Sequence, residues 1–196
     1  MDKKSFVKKN SNPLVVRGES YTKEFLLGKS LVCAPRKVFL GYLMIDGKAV
    51  ASKLFLQIMQ MKPTRVKLGF GSFITIDFGR DISEEVKTRQ GMQIRYHGEW
   101  HLWIYQCAWQ IDQSGKVLVH SESPKEAIES VLSNLATKTF TSFTLLNDFF
   151  DAELKFEDMT LRLLHTKDGE QWMLFTPENK TFVAGPGSQC DYRDSG

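Results

Sequence analysis

The chain has 196 residues, of which 42% are hydrophobic and 12% aromatic; a chain this rich in aromatic residues can bury a core, which excludes disorder over its whole length. Its longest near-continuous apolar run, residues 38–45, is too short for a membrane-spanning helix, which needs about 20 residues. The net charge of +3 is uneven, because residues 1–37 hold nine Lys and Arg against three acids, so the remainder is mildly acidic and would repel phosphate.

Residues 1–20 are polar and basic and are expected to form a flexible arm. Its lysines are candidates for contact with nucleic acid or an acidic partner, with solubilising charge as the alternative. These candidates are Lys3, Lys4, Lys8 and Lys9.

Residues 21–60 predict an N-terminal extension of mixed strand and helix. A short helix is expected at 21–27 and a strand at 38–45, followed by a turn at Asp46-Gly47. Apolar residues over 49–60 are spaced as in a helix, although a strand is the alternative there.

Residues 61–196 predict a β-rich domain. Strands are expected at 66–78, 98–111 and 116–121. The second is expected to break or bend near Gln106, and at least part of it to be buried on both faces, because both faces are largely apolar. The polar stretch between the first two, residues 79–90, is expected to be a loop or one helical turn.

The strongest local signal is a helix at 123–136. Ser123-Pro124-Lys125-Glu126 reads as a capping box with proline at the first helical position. Apolar residues then recur at i, i+3, i+4 and i+7, which indicates an amphipathic helix lying on a sheet. These residues are Ile128, Val131, Leu132 and Leu135.

Five further short strands follow, and they complete an α+β fold dominated by antiparallel sheet. They are predicted at 140–146, 152–156, 160–165, 171–175 and 181–184, with residues 185–188 ending regular structure. The hairpin segments 74–103 and 152–174 share a phenylalanine strand, a glycine break and a tryptophan strand. This likeness predicts two similar meanders joined by helix 123–136, although hairpins with a glycine turn and a tryptophan often look alike.

One cluster has the residue types of a metal site. On a strand His97, Glu99 and His101 would share a face, and Asp77 belongs to an acidic group that also includes Asp81, Glu84 and Glu85. The order of His and Glu does not fit the helical zinc-protease motif. A metal-dependent hydrolase is therefore the alternative, and an exposed strand end with solvated charge is the favoured interpretation.

A row of aromatic residues, Trp103, Tyr105 and Trp109, is a candidate surface for stacking a base or ligand. Nucleic-acid platforms place Lys or Arg between such residues, and residues 97–113 contain neither. Core packing is thus the better interpretation. Cys33, Cys107 and Cys190 are too far apart for a zinc motif or a disulfide framework, which predicts reduced thiols in the cytoplasm.

The C-terminal part resembles a family of uncharacterised small bacterial domains of immunity type. The resemblance rests on Leu154-Lys-Phe156-Glu-Asp158, Glu170-Gln-Trp172 and Gly185-Pro-Gly187, within residues 64–193. The family's hairpin usually has glycine where this chain has Met159. The resemblance implies a bacterial conflict-system protein and names no catalytic residue.

Together these features predict a cytoplasmic, non-enzymatic, protein-binding domain without a cofactor. No residue is assigned a catalytic role. Residues 139–196 hold ten acids and five Lys and Arg, which favours a basic protein partner. The alternatives are the metal-dependent hydrolase and a nucleic-acid binder that uses the basic arm.

Overall fold

The described residues form two antiparallel sheets; the sequence predicts antiparallel strands but not their division between two sheets. The computed structural model describes residues 31–33, 46–89, 91–166 and 169–195. The basic arm with Lys3, Lys4, Lys8 and Lys9, and the elements predicted at 21–27 and 38–45, lie outside the described residues. The α+β class is confirmed.

The seven-stranded sheet has the order β1-β12-β11-β10-β4-β3-β2, and the five-stranded sheet has the order β6-β5-β9-β8-β7. The strands are β1 (Leu31–Cys33), β2 (Arg65–Leu68), β3 (Ile74–Thr88), β4 (Gly91–Ile104), β5 (Ala108–Gln113), β6 (Lys116–His120), β7 (Phe140–Leu145), β8 (Ala152–Phe156), β9 (Met159–Leu164), β10 (Trp172–Phe175), β11 (Lys180–Ala184) and β12 (Cys190–Asp194).

In the part of the chain that the structure describes, two helices lie across the margins of the sheets. Helix α1 (Gly47–Gln57) contacts β7 of the smaller sheet and β12 of the larger one, and helix α2 (Lys125–Leu135) contacts β6 and β2, an edge strand from each sheet. Each helix therefore bridges the two sheets. The helices predicted at 49–60 and 123–136 are present, with slightly different ends.

The start of each helix differs from the sequence prediction. Asp46, expected in a turn, caps α1 by accepting a hydrogen bond from the backbone N–H of Lys48. At α2 the predicted capping box does not form, because Pro124 occupies the cap position and has no side-chain acceptor. The Ser123 hydroxyl instead accepts the backbone N–H of His120, which fixes the turn before the helix.

The core lies between the inner faces of the sheets and is rich in aromatic rings. Phe55 of α1 stacks on Phe143 at 3.8 Å between ring centroids, and it meets Trp172 edge-on at 5.7 Å. The Trp172 indole N–H donates to the Phe150 carbonyl at 3.0 Å, so its one polar group is satisfied within the core. Helix α1 thus shares a single core with the strands that follow it.

The break predicted near Gln106 is confirmed, and it moves the chain from one sheet to the other. Strand β4 ends at Ile104 and β5 begins at Ala108. The prediction that this region is buried on both faces is wrong for β4. Trp100, Leu102 and Ile104 are buried, whereas the alternate residues are only half-buried, because one side of the larger sheet faces away from the core.

Three other predictions are corrected by strand pairing. Residues 79–88 are not a loop but continue β3 as a hairpin with β4. Regular structure does not end at residues 185–188, since β12 follows and pairs with β11. The repeat does not appear in the pairing, because the first hairpin lies in one sheet whereas β8 and β10 belong to different sheets.

Phe55 gives a direct test of this core. Its side chain is 0% exposed, whereas that of the next residue, Leu56, is 62% exposed. We expect Phe55→Ala to lower the free energy of unfolding by about 3–5 kcal/mol, since it removes a ring that meets several others. Leu56→Ala is the matched control and should change it by less than about 0.5 kcal/mol. Urea unfolding measures both, and equal effects would contradict this placement of α1.

Candidate functional site

The β3–β4 hairpin extends well beyond the sheet to which it belongs. Strand β2 pairs with β3 only over Ile74–Asp77, and β10 pairs with β4 only over His101–Ile104. The two hairpin strands nevertheless remain paired to Thr88 and Gly91. We call Arg80–Thr88 together with Gly91–His97 the distal hairpin; within the described residues no other strand lies beside it.

The distal hairpin carries an exposed apolar row. Side chains alternate between the two faces of β4. Met92, Ile94 and Tyr96 therefore lie on the same face as Trp100, which is buried in the core. Their exposed fractions are 58% for Tyr96, 59% for Ile94 and 61% for Met92. The apolar positions of β4 therefore continue into solvent, where their neighbours on β3 are the polar residues Ser83, Glu85 and Lys87. We call Met92, Ile94 and Tyr96 the apolar row.

A bulge marks the root of the distal hairpin. Gly79 and Arg80 lie opposite Glu99, where the register of β3 against β4 shifts. Gly79 has a φ of 79°, and a Cβ there would lie 2.6 Å from the Glu99 carboxylate, so only glycine fits. The freed backbone N–H and guanidinium of Arg80 donate to Glu99, the guanidinium at 2.5 Å, and this contact lowers the pKa of Glu99.

A buried carboxylate joins three strands at the same root. The side chain of Asp77, 3% exposed, accepts a hydrogen bond from His101 Nδ1 at 2.5 Å and one from Arg65 at 3.0 Å. Arg65 lies in β2 and also donates to Asp81 and to the Tyr96 carbonyl. Because Asp77 is ionised and can only accept, His101 Nδ1 carries the proton.

Burial and hydrogen bonding act in opposite directions on Asp77. Burial raises its pKa, but the hydrogen bond and charge of His101, the Gly98 backbone N–H and the charge of Arg65 together hold the pKa below its ordinary value of 3.8. The carboxylate is therefore ionised throughout the neutral range, and it orients the imidazole of His101 as a structural partner.

The four residues predicted as a metal site lie near one another but are held by other contacts. Asp77 and Glu99 are paired with Arg65 and Arg80. His97 Nδ1 donates to the Gly98 carbonyl, and its ring lies 6.1 Å from that of His101. Within the described ranges no three His, Cys, Asp or Glu side chains are grouped so as to hold a metal ion.

The predicted aromatic row is divided by the strand break. Trp103 and Tyr105 lie 5.1 Å apart on the outer side of the larger sheet, and Tyr105 also meets Phe73 at 4.7 Å. Trp109 instead lies in β5, 1% exposed, with its indole N–H donating to the Ser72 carbonyl. The three residues therefore do not form one stacking surface, and Trp109 belongs to the core.

One cluster was not found by sequence reasoning. Asp151 accepts hydrogen bonds from the backbone N–H and the Nδ1 of His165 and from the Asn147 amide, and its charge acts on Cys107. These residue types occur in cysteine enzymes. However, burial and the Asp151 charge raise the pKa of the Cys107 thiol to about 12, so the nucleophilic thiolate is absent at neutral pH. Residues this far apart in sequence give no local signal.

Comparisons with family models, curated proteins and solved structures give no match to this chain. No helix of the described residues is long and apolar enough to cross a membrane.

Asp77→Asn tests the root network. We expect it to lower the free energy of unfolding by about 1.5–3 kcal/mol near neutral pH, because the amide cannot replace the charged acceptor. Since the folded-state pKa of Asp77 is depressed, its contribution is full above the ordinary value of 3.8 and is lost as pH falls through the folded-state value. The difference in the free energy of unfolding between the wild type and Asp77→Asn should therefore become smaller at acidic pH.

Asp81→Asn is the matched control, because Asp81 pairs with the same arginine but its side chain is 59% exposed. It should cost less than about 1 kcal/mol. Urea unfolding at several pH values measures both variants. If the destabilisation caused by Asp77→Asn stays the same at acidic pH, the role given to the Asp77 charge is contradicted.

Labelling of Cys107 tests whether its thiol is reactive in the folded protein. Iodoacetamide should leave this thiol unmodified in the folded protein at neutral pH, because the thiol is buried and protonated. It should react once the chain is unfolded in urea. Peptide mass spectrometry reads this position separately from the other cysteines, and rapid labelling in the folded state would point to an activated nucleophile.

Proposed function

We propose that this chain is a non-enzymatic protein-binding domain and that the distal hairpin contacts its partner. The observation that carries the proposal is the apolar row. Met92, Ile94 and Tyr96 are more than half exposed and adjacent on one face. Three adjacent large apolar side chains held in water on a projecting element are typical of an interaction site.

The surrounding charges suit a specific protein contact. Glu85 and Lys87 of β3 lie opposite Ile94 and Met92 and so share the face of the apolar row. Glu84 and Arg95 pair on the other face of the hairpin. This mixed rim around an apolar centre is the usual composition of a protein interface. It differs from the unbroken positive surface that nucleic acid requires.

The candidate catalytic groups support a binding role over an enzymatic one. His101 has its Nδ1 engaged by Asp77, and among the described residues no hydroxyl or thiol nucleophile hydrogen-bonds to either His101 or His97. The thiol of Cys107 is buried and protonated. The hydrolase alternative has no further support from these contacts.

We further propose that the partner is a basic protein in the cytoplasm of a bacterium, as expected for an immunity-type domain. The resemblance of residues 64–193 to such domains supports this, as does the excess of acids in residues 139–196. Salt should then weaken the association, because charge steering is screened as ionic strength rises.

A variant of the apolar row tests the proposal. The tagged chain and a Met92→Ser, Ile94→Ser, Tyr96→Ser variant serve as baits in the native host. Each protein retained by the wild type is then purified and titrated against both forms by calorimetry. We expect the variant to bind the true partner at least about tenfold more weakly, because a few apolar side chains dominate interface energy.

The matched control replaces two exposed apolar residues of β6, Val117→Ser and Leu118→Ser. Their exposed fractions are 49% and 37%, and they lie in the other sheet. This control should bind like the wild type. A reconstituted partner whose affinity is the same for all three forms would reject the distal hairpin as the contact, and the absence of any reconstituted partner would count against a binding function.

A further inference from the structure

Two imidazoles come together at the root of the distal hairpin. His97 and His101 lie on the face of β4 opposite the apolar row, because side chains alternate along the strand. Their ring centroids are 6.1 Å apart, with the ring planes at 64°. The Cα atoms of residues four apart in a strand are separated by roughly 13 Å, so the two side chains lean towards each other. We call them the histidine pair.

Both rings are oriented through the same nitrogen. His97 Nδ1 lies 2.8 Å from the Gly98 carbonyl, and His101 Nδ1 lies 2.5 Å from the Asp77 carboxylate. A carbonyl and an ionised carboxylate only accept, so in the neutral imidazole each Nδ1 carries the proton and each Nε2 keeps its lone pair. Neither Nε2 has a hydrogen-bond partner among the described residues. Metal-binding histidines show the same arrangement, with the second nitrogen donating to a carboxylate or a backbone carbonyl.

The distance between the rings suits one bound ion. Zn²⁺ binds an imidazole nitrogen at about 2.0–2.1 Å, which places each ring centroid roughly 3.2 Å from the ion and two such rings at most about 6.4 Å apart. The observed separation of 6.1 Å is within that limit. One ion can therefore contact both Nε2 atoms without a change in the backbone.

The charges beside the histidine pair favour a cation. Carboxylates outnumber guanidiniums by one at the neighbouring strand positions and in their ion pairs, so the local field is negative. The carboxylates are Asp77, Asp81, Glu84 and Glu99, and the guanidiniums are Arg65, Arg80 and Arg95.

We propose that the histidine pair binds a divalent transition-metal ion of the class that prefers imidazole, namely Zn²⁺, Ni²⁺ or Cu²⁺. The two Nε2 atoms are the protein ligands, and water fills the other positions. Structural zinc sites use four protein ligands and catalytic sites three. With two ligands, we expect an exchangeable ion. The inference goes beyond the proposed binding function, because the histidine pair and the apolar row lie on opposite faces of β4.

His101 is oriented for binding before an ion arrives. Its Nδ1 is held by Asp77, whose side chain is 3% exposed, and Phe175 of β10 lies 5.6 Å from the imidazole between ring centroids. A carboxylate partner of this kind fixes the direction of the ring and raises the basicity of the metal-binding nitrogen. Asp77 is thus a positioning residue for this site as well as the centre of the root network.

Zinc titration of the full chain tests the histidine pair. Calorimetry with Zn²⁺ near neutral pH should show binding by the wild type. Its affinity should fall at least about tenfold in His97→Gln and in His101→Gln, because loss of a ligand costs no less than loss of an outer partner, which costs about 10–100-fold. The matched control is His120→Gln, at an exposed histidine of β6 in the other sheet, and it should bind like the wild type.

A second measurement counts the bound nitrogens. With one equivalent of Cu²⁺, electron paramagnetic resonance should show coupling to two imidazole nitrogens in the wild type and to one in each variant of the histidine pair. Circular dichroism checks that the variants are folded. If His101→Gln is not, His97→Gln decides, since the described hydrogen bond of the His97 ring is to the adjacent Gly98 carbonyl.

Three results would overturn the inference. They are a wild type that binds no Zn²⁺, an affinity that is the same in the wild type and in His97→Gln, and a Cu²⁺ spectrum of the wild type with a single coupled nitrogen. None of these results would bear on the partner contact, which the variant of the apolar row tests on the other face of the hairpin.

Discussion

The buried carboxylate of Asp77 is the interaction on which the shape of the molecule most depends. It binds His101 of β4 and Arg65 of β2 while sitting in β3, so it joins three strands at the point where the hairpin leaves the sheet. A desolvated carboxylate is costly unless its acceptor sites are filled. The strands must therefore stay in the register that brings those donors together. The adjacent bulge at Gly79 then sets the direction in which the distal hairpin leaves the sheet.

The alternation of side chains along β4 determines which of its residues share a face with the core. Trp100, Leu102 and Ile104 fill the core, and the same parity places Tyr96, Ile94 and Met92 in solvent. Apart from Gly98, the even-numbered residues of β4 are thus apolar, whether they lie in the core or in solvent. Burial explains the first three residues, since each contributes the free energy of removing apolar surface from water. It does not explain the second three, which we propose are covered when the chain binds a partner.

Sequence reasoning found the elements with undisturbed periodicity and missed those interrupted by polar residues or glycine. Helix α2 was predictable because four apolar residues recur at helical spacing. A break near Gln106 was expected within the long apolar segment 98–111, but the move to the other sheet at that point was not. The distal hairpin was missed because Gly79 and the charges from Asp81 to Arg89 resemble a loop. The alternation of apolar residues along β4, at Met92, Ile94 and Tyr96, was the available signal. The contacts of Asp77 with Arg65, and of Asp151 with His165, depend on strand pairing that no local pattern encodes.

The fixed base of the distal hairpin lowers the entropic cost of using this hairpin as a binding surface. An isolated two-stranded hairpin is marginally stable in water, and a flexible one would lose conformational entropy each time it bound. Here Asp77, Arg65 and the Arg80–Glu99 pair hold the base of the hairpin, so much of that ordering cost is met during folding. The same contacts keep the apolar row on one face of the hairpin, where a partner could contact all three side chains.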